Sequence, residues 1–432
     1  MATFQGFRDT ASWVTDQRPK NWREGLLLLN PNGTAPLFAM TSLMKKEKVD
    51  DPEYNWFTKT LERRGITITA GTVDTDLADT AYTSGGVAGD VLHVTGLTAA
   101  KASEFLPGYE IMFQDASHPD MTCVAKVTSV VSAGAASYIT VSLLEADNNG
   151  SATDLSNADT IVVIGNINPE FGERPESLHY QPTKNTNYTQ IFRDSLDLSR
   201  TTLETRLRTG DAYKEEKRET LQYHSQAIEM AMLFGVKSEG TGANGKKERT
   251  TDGLVTMVKN GSGVTSDWTT DGDYGSGAWS GGTVPWEWLN DHLEELFRFG
   301  GDTKMAFCGS GVLTAIQQLA EKVGTIQVEK GSTSFGLNIR EIITPHGILA
   351  LKTHPLFNNE ATLRNSLVAF EPGNIRYRFV TDTSFRKDPS STSTGSDSGL
   401  DGRREEYITE CGLEYHHFPT AAWLTGFGNT HL

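Results

Sequence analysis

"DAYKEEKRETLQYHSQAIEMAMLF", Asp211 to Phe234, decides how this chain is read. Leu221, Ile228 and Met232 fall near one face at helical spacing, joined by Ala227 and Ala231. The charged run "KEEKRE" precedes them, and Asp211 stands where a helix N-cap belongs. About 24 residues at 1.5 Å rise make a rod of roughly 36 Å. That is longer than one compact core requires.

Upstream, "QIFRDSLDLS" sets Phe192, Leu196 and Leu198 against Arg193, Ser195 and Asp197, the alternation of a half-buried strand. From about Ile66 to Gly165, short β-type runs recur between Gly, Ser, Asn and Asp clusters: "VLHVTG", "EIMFQ", "CVAKVTSVV", "YITVSLL" and "TIVVIG". Their spacing predicts a small all-β module. The first 50 residues make a poor domain by themselves. "LLLL" (Leu26 to Leu29) and the turn signal "NPNG" read as an extended arm that needs other surfaces on which to bury Trp13, Trp22 and the leucines.

Downstream, a loop-rich stretch runs from Gly235 to Gly282. Pro285 then opens a helix with Trp286, Leu289, Leu293, Leu296 and Phe297 on one stripe, stopped by Gly300-Gly301. "TKMAFCG" reads as a strand, Ser310 as the cap of a helix carrying Leu313, Ile316, Leu319 and Val323, and "LNIREIITPHGILALKTH" as a hairpin about Pro345-His346-Gly347. The segment Pro389 to Asp401 is poor in apolar residues and predicts a mobile loop. Near the end, Tyr407, Thr409, Cys411, Leu413 and Tyr415 share one strand face. The expected class is α+β.

Composition narrows the function. The chain has 432 residues, enough for two or three domains, with 39 Lys and Arg against 55 Asp and Glu, a formal charge of −16. An acidic chain is a poor general binder of nucleic acid, since phosphate affinity comes from clustered cations. Cys123, Cys308 and Cys411 are too few and too scattered for a disulfide framework, so reduced thiols in a protein folded in a cytoplasm are expected. The N-terminus has no basic-then-apolar leader, and no run approaches 18 apolar residues, so neither a signal peptide nor a membrane span is expected.

Each motif with a chemical reading has a structural one that outweighs it. In "MAFCGSGVLTAI" (Met305 to Ile316), the third glycine of a dinucleotide fingerprint is replaced by Thr314, the lysine of a phosphate loop is missing, and Ser310 has the wrong glycine spacing for a nucleophile elbow. A strand-to-helix turn is preferred. Cys411 reads as core. His416 and His417 point to opposite strand faces and cannot ligate one metal. Asp271-Gly-Asp273 opens like a calcium loop but lacks the sixth-position glycine and the closing glutamate, with Gly282 in that last place. "GKKER" (Gly245 to Arg249) is the densest basic cluster and reads as a solvated loop. No catalytic triad, carboxylate pair, cofactor or metal constellation assembles, so no enzyme is expected. A β-rich ligand-binding or decoration module with Tyr82, Phe105 and Tyr109 as an aromatic platform is the first alternative, and a hydrolase or nucleotide enzyme centred on Cys308 to Gly311 is the second.

The order of parts resembles the major capsid proteins of tailed phages, of the Hong Kong 97 type, in a branch with a β-domain inserted in the extended loop. "KEKVDDPEYNWF" (Lys46 to Phe57) resembles that branch's arm-to-loop junction, and "TQIFRDSLDLS" the returning strand of its loop. "RTTDGL" (Arg249 to Leu254) resembles the entry to its axial domain, and "EYITECGLEYHHFPTAAWLTG" (Glu406 to Gly426) the closing strand, turn and strand. The resemblance implies an N-terminal arm at 1–51 and an extended loop at 52–208 with the β-domain at about 73–165. It implies a peripheral domain with the spine helix and following loop at 209–252, an axial domain at 253–370, and a return to the peripheral domain at 371–432.

It also implies a function. The chain would self-assemble into hexamers and pentamers of an icosahedral head enclosing double-stranded DNA without specific recognition, with no cofactor and no membrane. Portal and scaffolding proteins would be its partners, with room for a decoration protein. Folding and assembly would occur in the bacterial host cytoplasm, and the product would be the virion capsid. Trp13, Trp22, Leu26, Trp56, Phe57, Phe192 and Arg193 are the candidate inter-subunit contacts.

Overall fold

The structure is a computed structural model describing residues 44–428, apart from 60–63, 70–71, 79, 120–121, 148–153, 206–210, 275–278, 280–283, 324–327, 335–336 and 388–401, and from the side chains of 320–340 and 359. The expected mobile loop at Pro389 to Asp401 lies outside the described residues. The chain forms two compact units, one from Lys59 to Thr183 and one from the segments on either side.

Strands β1 (Lys45–Lys48) and β2 (Glu53–Thr58) lead into the Lys59–Thr183 unit. Its strands are β3 (Gly65–Thr67), β4 (Val73–Asp74), β5 (Val91–Leu97), β6 (Tyr109–Gln114), β7 (Thr122–Val131), β8 (Ser137–Leu143) and β9 (Thr160–Asn166). They form one antiparallel sheet in the order β3-β9-β6-β7-β8-β5-β4. Period-two alternation produces it: Ile111 and Phe113 in β6, Cys123, Ala125 and Val127 in β7, and Ile139 and Val141 in β8 are fully buried, while the residues between them face outward. Tyr82, Phe105 and Tyr109 belong to this core. They are 4 %, 1 % and 8 % exposed, which overturns the aromatic platform considered from sequence.

The other unit resumes with β10 (Thr183–Tyr188), paired to β2, and β11 (Gln190–Ser199). The long helix α1 runs Ala212–Phe234, with the Asp211 side chain accepting from the Tyr213 N–H. Its buried face is Thr220, His224, Ile228, Glu229, Met232 and Leu233, so the stripe is more polar than expected. Leu221, expected inside, is exposed, because the hydrogen bonds described below turn His224 and Glu229 inward. Then come β12 (Ser238–Thr241) and β13 (Lys247–Thr250), a hairpin, followed by α2 (Leu254–Asn260), β14 (Val264–Asp267), α3 (Val284–Phe297), β15 (Thr303–Cys308) and α4 (Ser310–Val323). The chain continues through β16 (Val328–Ser334), β17 (Leu337–Thr344), β18 (Gly347–Thr353), β19 (Leu367–Phe370), β20 (Ile375–Arg386), β21 (Gly402–Tyr415) and β22 (Ala422–Thr425). The turn between β17 and β18 falls at Pro345-His346, as expected.

Two sheets organise this unit. One is four-stranded, β1-β20-β21-β11, with β1 parallel to β20 and the other pairs antiparallel. The other is seven-stranded and mixed, β14-β22-β19-β15-β18-β17-β16. β15 shows why the latter reads as continuous apolar runs: Phe307 joins the core beneath α1, while Ala306 and Cys308 join the core beneath α3 and α4. In β21, Tyr407, Thr409, Cys411, Leu413 and Tyr415 are all buried, the face read from the sequence. His416 and His417 lie past the strand's end, and His417 adopts φ 57, so strand alternation does not govern them.

Candidate functional site

The Cys308–Gly311 turn is built by close packing. A Cβ on Gly309 would lie 2.1 Å from the Arg364 carbonyl oxygen, and one on Gly311 would lie 1.9 Å from the Asn365 side-chain oxygen. Gly309 lets backbone meet backbone, and Gly311 makes room for the Asn365 side chain. Ser310 is the first residue of α4 rather than its cap. Its N–H donates to Asn358 Oδ1 at 2.7 Å, so a side chain from a distant segment fills the role expected of Ser310. Cys308 is fully buried. Burial pushes the Cys411 and Cys123 thiols up to about 12, where no thiolate nucleophile forms.

The remaining motifs are also absorbed by structure. Asp271 accepts from Ser266 Oγ at 2.7 Å and from Trp288 Nε1 at 2.9 Å, anchoring a cluster of Trp268, Trp279, Trp288 and Phe427. Trp288, fully buried, escaped the sequence reading because the stripe was drawn through Trp286. Among the described residues no three His, Cys, Asp or Glu side chains group as a metal site. In the basic hairpin, Lys247 and Arg249 both pair with Glu239, at 2.5 and 2.9 Å, which neutralises much of "GKKER".

The seven candidate contact residues divide three ways. Trp13, Trp22 and Leu26 lie outside the described residues. Trp56 and Phe192 are buried in the chain's own core with Tyr54, Met232 and Leu413. Phe57 and Arg193 face outward: Phe57 is 67 % exposed, and Arg193 pairs with Glu406 at 2.5 Å along the β11–β21 surface. Alternation accounts for the split, because Phe57 and Arg193 each neighbour an inward residue on a strand. β11 ends its sheet, so one of its edges carries no strand among the described residues.

Two polar arrangements could not be read from the sequence. First, α1 turns two ionisable side chains inward. His224 Nδ1 meets Asp194 at 2.6 Å and its Nε2 meets Thr409 Oγ1 at 2.8 Å, both partners in the four-stranded sheet. Five residues on, Glu229 meets His354 Nε2 at 3.0 Å, just beyond β18 of the seven-stranded sheet.

Second, a polar hub forms where the chain crosses between the sheets. Glu371–Asn374 crosses from β19 to β20, and His416–Ala421 crosses from β21 to β22. Asn374 Nδ2 donates to Glu371 Oε2 and to Thr420 Oγ1, both at 3.1 Å, and Tyr415 OH meets Thr420 Oγ1 at 2.8 Å. Thr420 Oγ1 in turn donates to the His417 carbonyl at 2.8 Å. Lys304, at the start of β15 and fully buried, donates to the Phe299 and Thr420 carbonyls at 2.8 and 3.1 Å. Burial pushes its amine down to about 8, with Glu371 opposing.

Of the described candidates, then, Phe57 and Arg193 stand on exposed strand faces, and Trp56 and Phe192 lie in the interior. The chain belongs to the SU10 major capsid protein family, whose model matches residues 3–428. It is a structural protein of a phage capsid shell and a component of the virion, as the resemblance implied. Among curated proteins it is similar to the major capsid protein of Pseudomonas phage PaMx41, 24 % identical over 371 residues, covering 83 % of this chain and 78 % of that one. Two solved structures are more distant. The capsid of a native GTA particle is 9 % identical at TM-score 0.43 over 96 % of this chain and 98 % of that one. The capsid of Myoviridae phage XM1 is 13 % identical at TM-score 0.36 over 57 % and 76 %.

Proposed function

We propose that the subunit builds its shell from hexamers and pentamers, and that the exposed faces of β2 and β11 lie against neighbouring copies. The observation that carries this reading is the pairing of inward anchors with outward partners on the same strands: Trp56 with Phe57, and Phe192 with Arg193. A buried neighbour fixes each strand, and the exposed residue then meets the next subunit in a defined register. Apolar area covered in trans contributes roughly 25 cal/mol per Å², and closed symmetry sums many weak contacts.

In this reading the segment 1–51 is an arm laid on a neighbour through Trp13, Trp22 and Leu26. Residues 52–208 are the extended loop with its β-domain, 209–252 carry the spine helix, 253–370 surround the capsomer axes, and 371–432 close the peripheral domain. The shell encloses double-stranded DNA without reading it, in keeping with the acidic chain. Assembly occurs in the host cytoplasm with a portal and a separate scaffolding protein, and the subunit performs no catalysis. Expression of the chain with and without its neighbouring genes tests the scaffold: shells of one size only on co-expression support a helper, and uniform shells from the chain alone remove it.

A further inference from the structure

Chain crossings at Glu371–Asn374 and His416–Ala421 run side by side between the two sheets, and the Lys304 hub ties them together. We propose that this hub is a clasp that sets the angle between the four-stranded and seven-stranded sheets, and that it re-pairs when a subunit changes between five-fold and six-fold rings. The proposal rests on the hexamer and pentamer reading given above. Any rotation of one sheet against the other must be absorbed where the chain passes between them. Of the three passages, the one from β11 to β14 is long and runs through α1, while the other two are short, and the hub joins these two to each other and to the root of β15.

The bonding at Thr420 is saturated. Thr420 Oγ1 gives its one proton to the His417 carbonyl and accepts from Asn374 and Tyr415. Tyr415 OH also accepts the Glu371 N–H at 3.3 Å, and the His416 N–H donates to the Asn374 carbonyl at 3.0 Å. His417 is held at φ 57, in the left-handed region, by its carbonyl's bonds to Thr420. At Gly300, φ 87, a Cβ would sit 2.5 Å from Glu371 Oε2 and 3.2 Å from Lys304 Nζ, so a side chain is excluded beside the hub. A buried network of this kind changes by exchanging partners, because a half-bonded state strands polar groups away from water. Lys304 suits such an exchange: its flexible stem carries three donors, two of them on backbone carbonyls from separate segments.

The test is a cryo-EM reconstruction of shells formed by the unaltered chain, resolving subunits in both ring types. The clasp predicts that the inter-sheet angle differs between them and that the Lys304 and Asn374 bonds differ with it. An identical angle and identical bonds in all subunits overturn it. Thr420→Val and Lys304→Met provide the second arm. Folded subunits that give mixed diameters or open sheets support the clasp, and folded subunits that give shells of the unaltered diameter contradict it. If either variant fails to fold, the unaltered shell alone decides. Failure of the unaltered chain to form rings would instead remove the hexamer and pentamer reading, a separate result.

Discussion

Glu229 on α1 and His354 beyond β18 meet at 3.0 Å with side chains 2 % and 0 % exposed. The pair fastens the long helix to the seven-stranded sheet, as His224 and Asp194 fasten it to the four-stranded one. Removing one partner of a buried hydrogen-bonded pair costs about 1–3 kcal/mol, because the other is left unsatisfied away from water. His354→Ala should therefore lower the stability of the subunit by about that much, and Glu229→Gln, which keeps a hydrogen-bonding group, by less. Denaturant unfolding of the unassembled subunit measures both. Equal and negligible losses would mean that the pair does not hold the helix.

The turn at Cys308–Gly311 offers a contrast between neighbours. Ser310→Ala should leave stability and assembly within about 0.5 kcal/mol of the unaltered protein, since the exposed hydroxyl has only a surface role. Gly309→Ala should cost several times more, because its Cβ would overlap the Arg364 backbone, which cannot swing aside as a side chain can. Thermal melts of both variants check the ordering, and a large loss in Ser310→Ala would reopen a chemical reading of the motif.

Core and surface residues on one strand should separate by readout. Phe192→Ala should destabilise the subunit by about 3–5 kcal/mol, the usual result of truncating a buried Phe. Phe57→Ser should leave the melting of the subunit nearly unchanged and weaken assembly. Size-exclusion chromatography and calorimetry distinguish the two. A Phe57→Ser variant that assembles like the unaltered chain would remove Phe57 from the interface.

How much of this was legible beforehand follows from what local pattern encodes. The β11 alternation, the buried face of β21 and the Pro345-His346 turn were readable because each depends on residues within a few positions. The polar face of α1 was not. His224 and Glu229 become inward residues only through Asp194, Thr409 and His354, which stand far off in sequence, so apolar periodicity chose Leu221 instead. Asn358 replacing Ser310 as the cap of α4 is the same kind of miss. Lys304 gave no signal at all, since a lysine at a strand's start ordinarily faces water.

That lysine also predicts a pH dependence. Its amine titrates near 8 in the folded protein and near 10.4 unfolded, so between those values the folded state binds fewer protons. The cost of burying the charge is complete below pH 8 and is relieved as pH rises toward 10. Stability from this group should therefore rise across that window, by on the order of 2 kcal/mol. Lys304→Met should lack that rise. Urea titrations at pH 7.5 and about 9.5 compare the two proteins, and parallel curves would show that Lys304 is not the source.

A subunit of this kind closes into a shell of rings. Negative-stain microscopy with light scattering, on the protein expressed alone and with its neighbouring genes, tests it most directly. The account predicts hexamers, pentamers or shells in at least one of these conditions. A monomer under every condition, co-expression included, would contradict it.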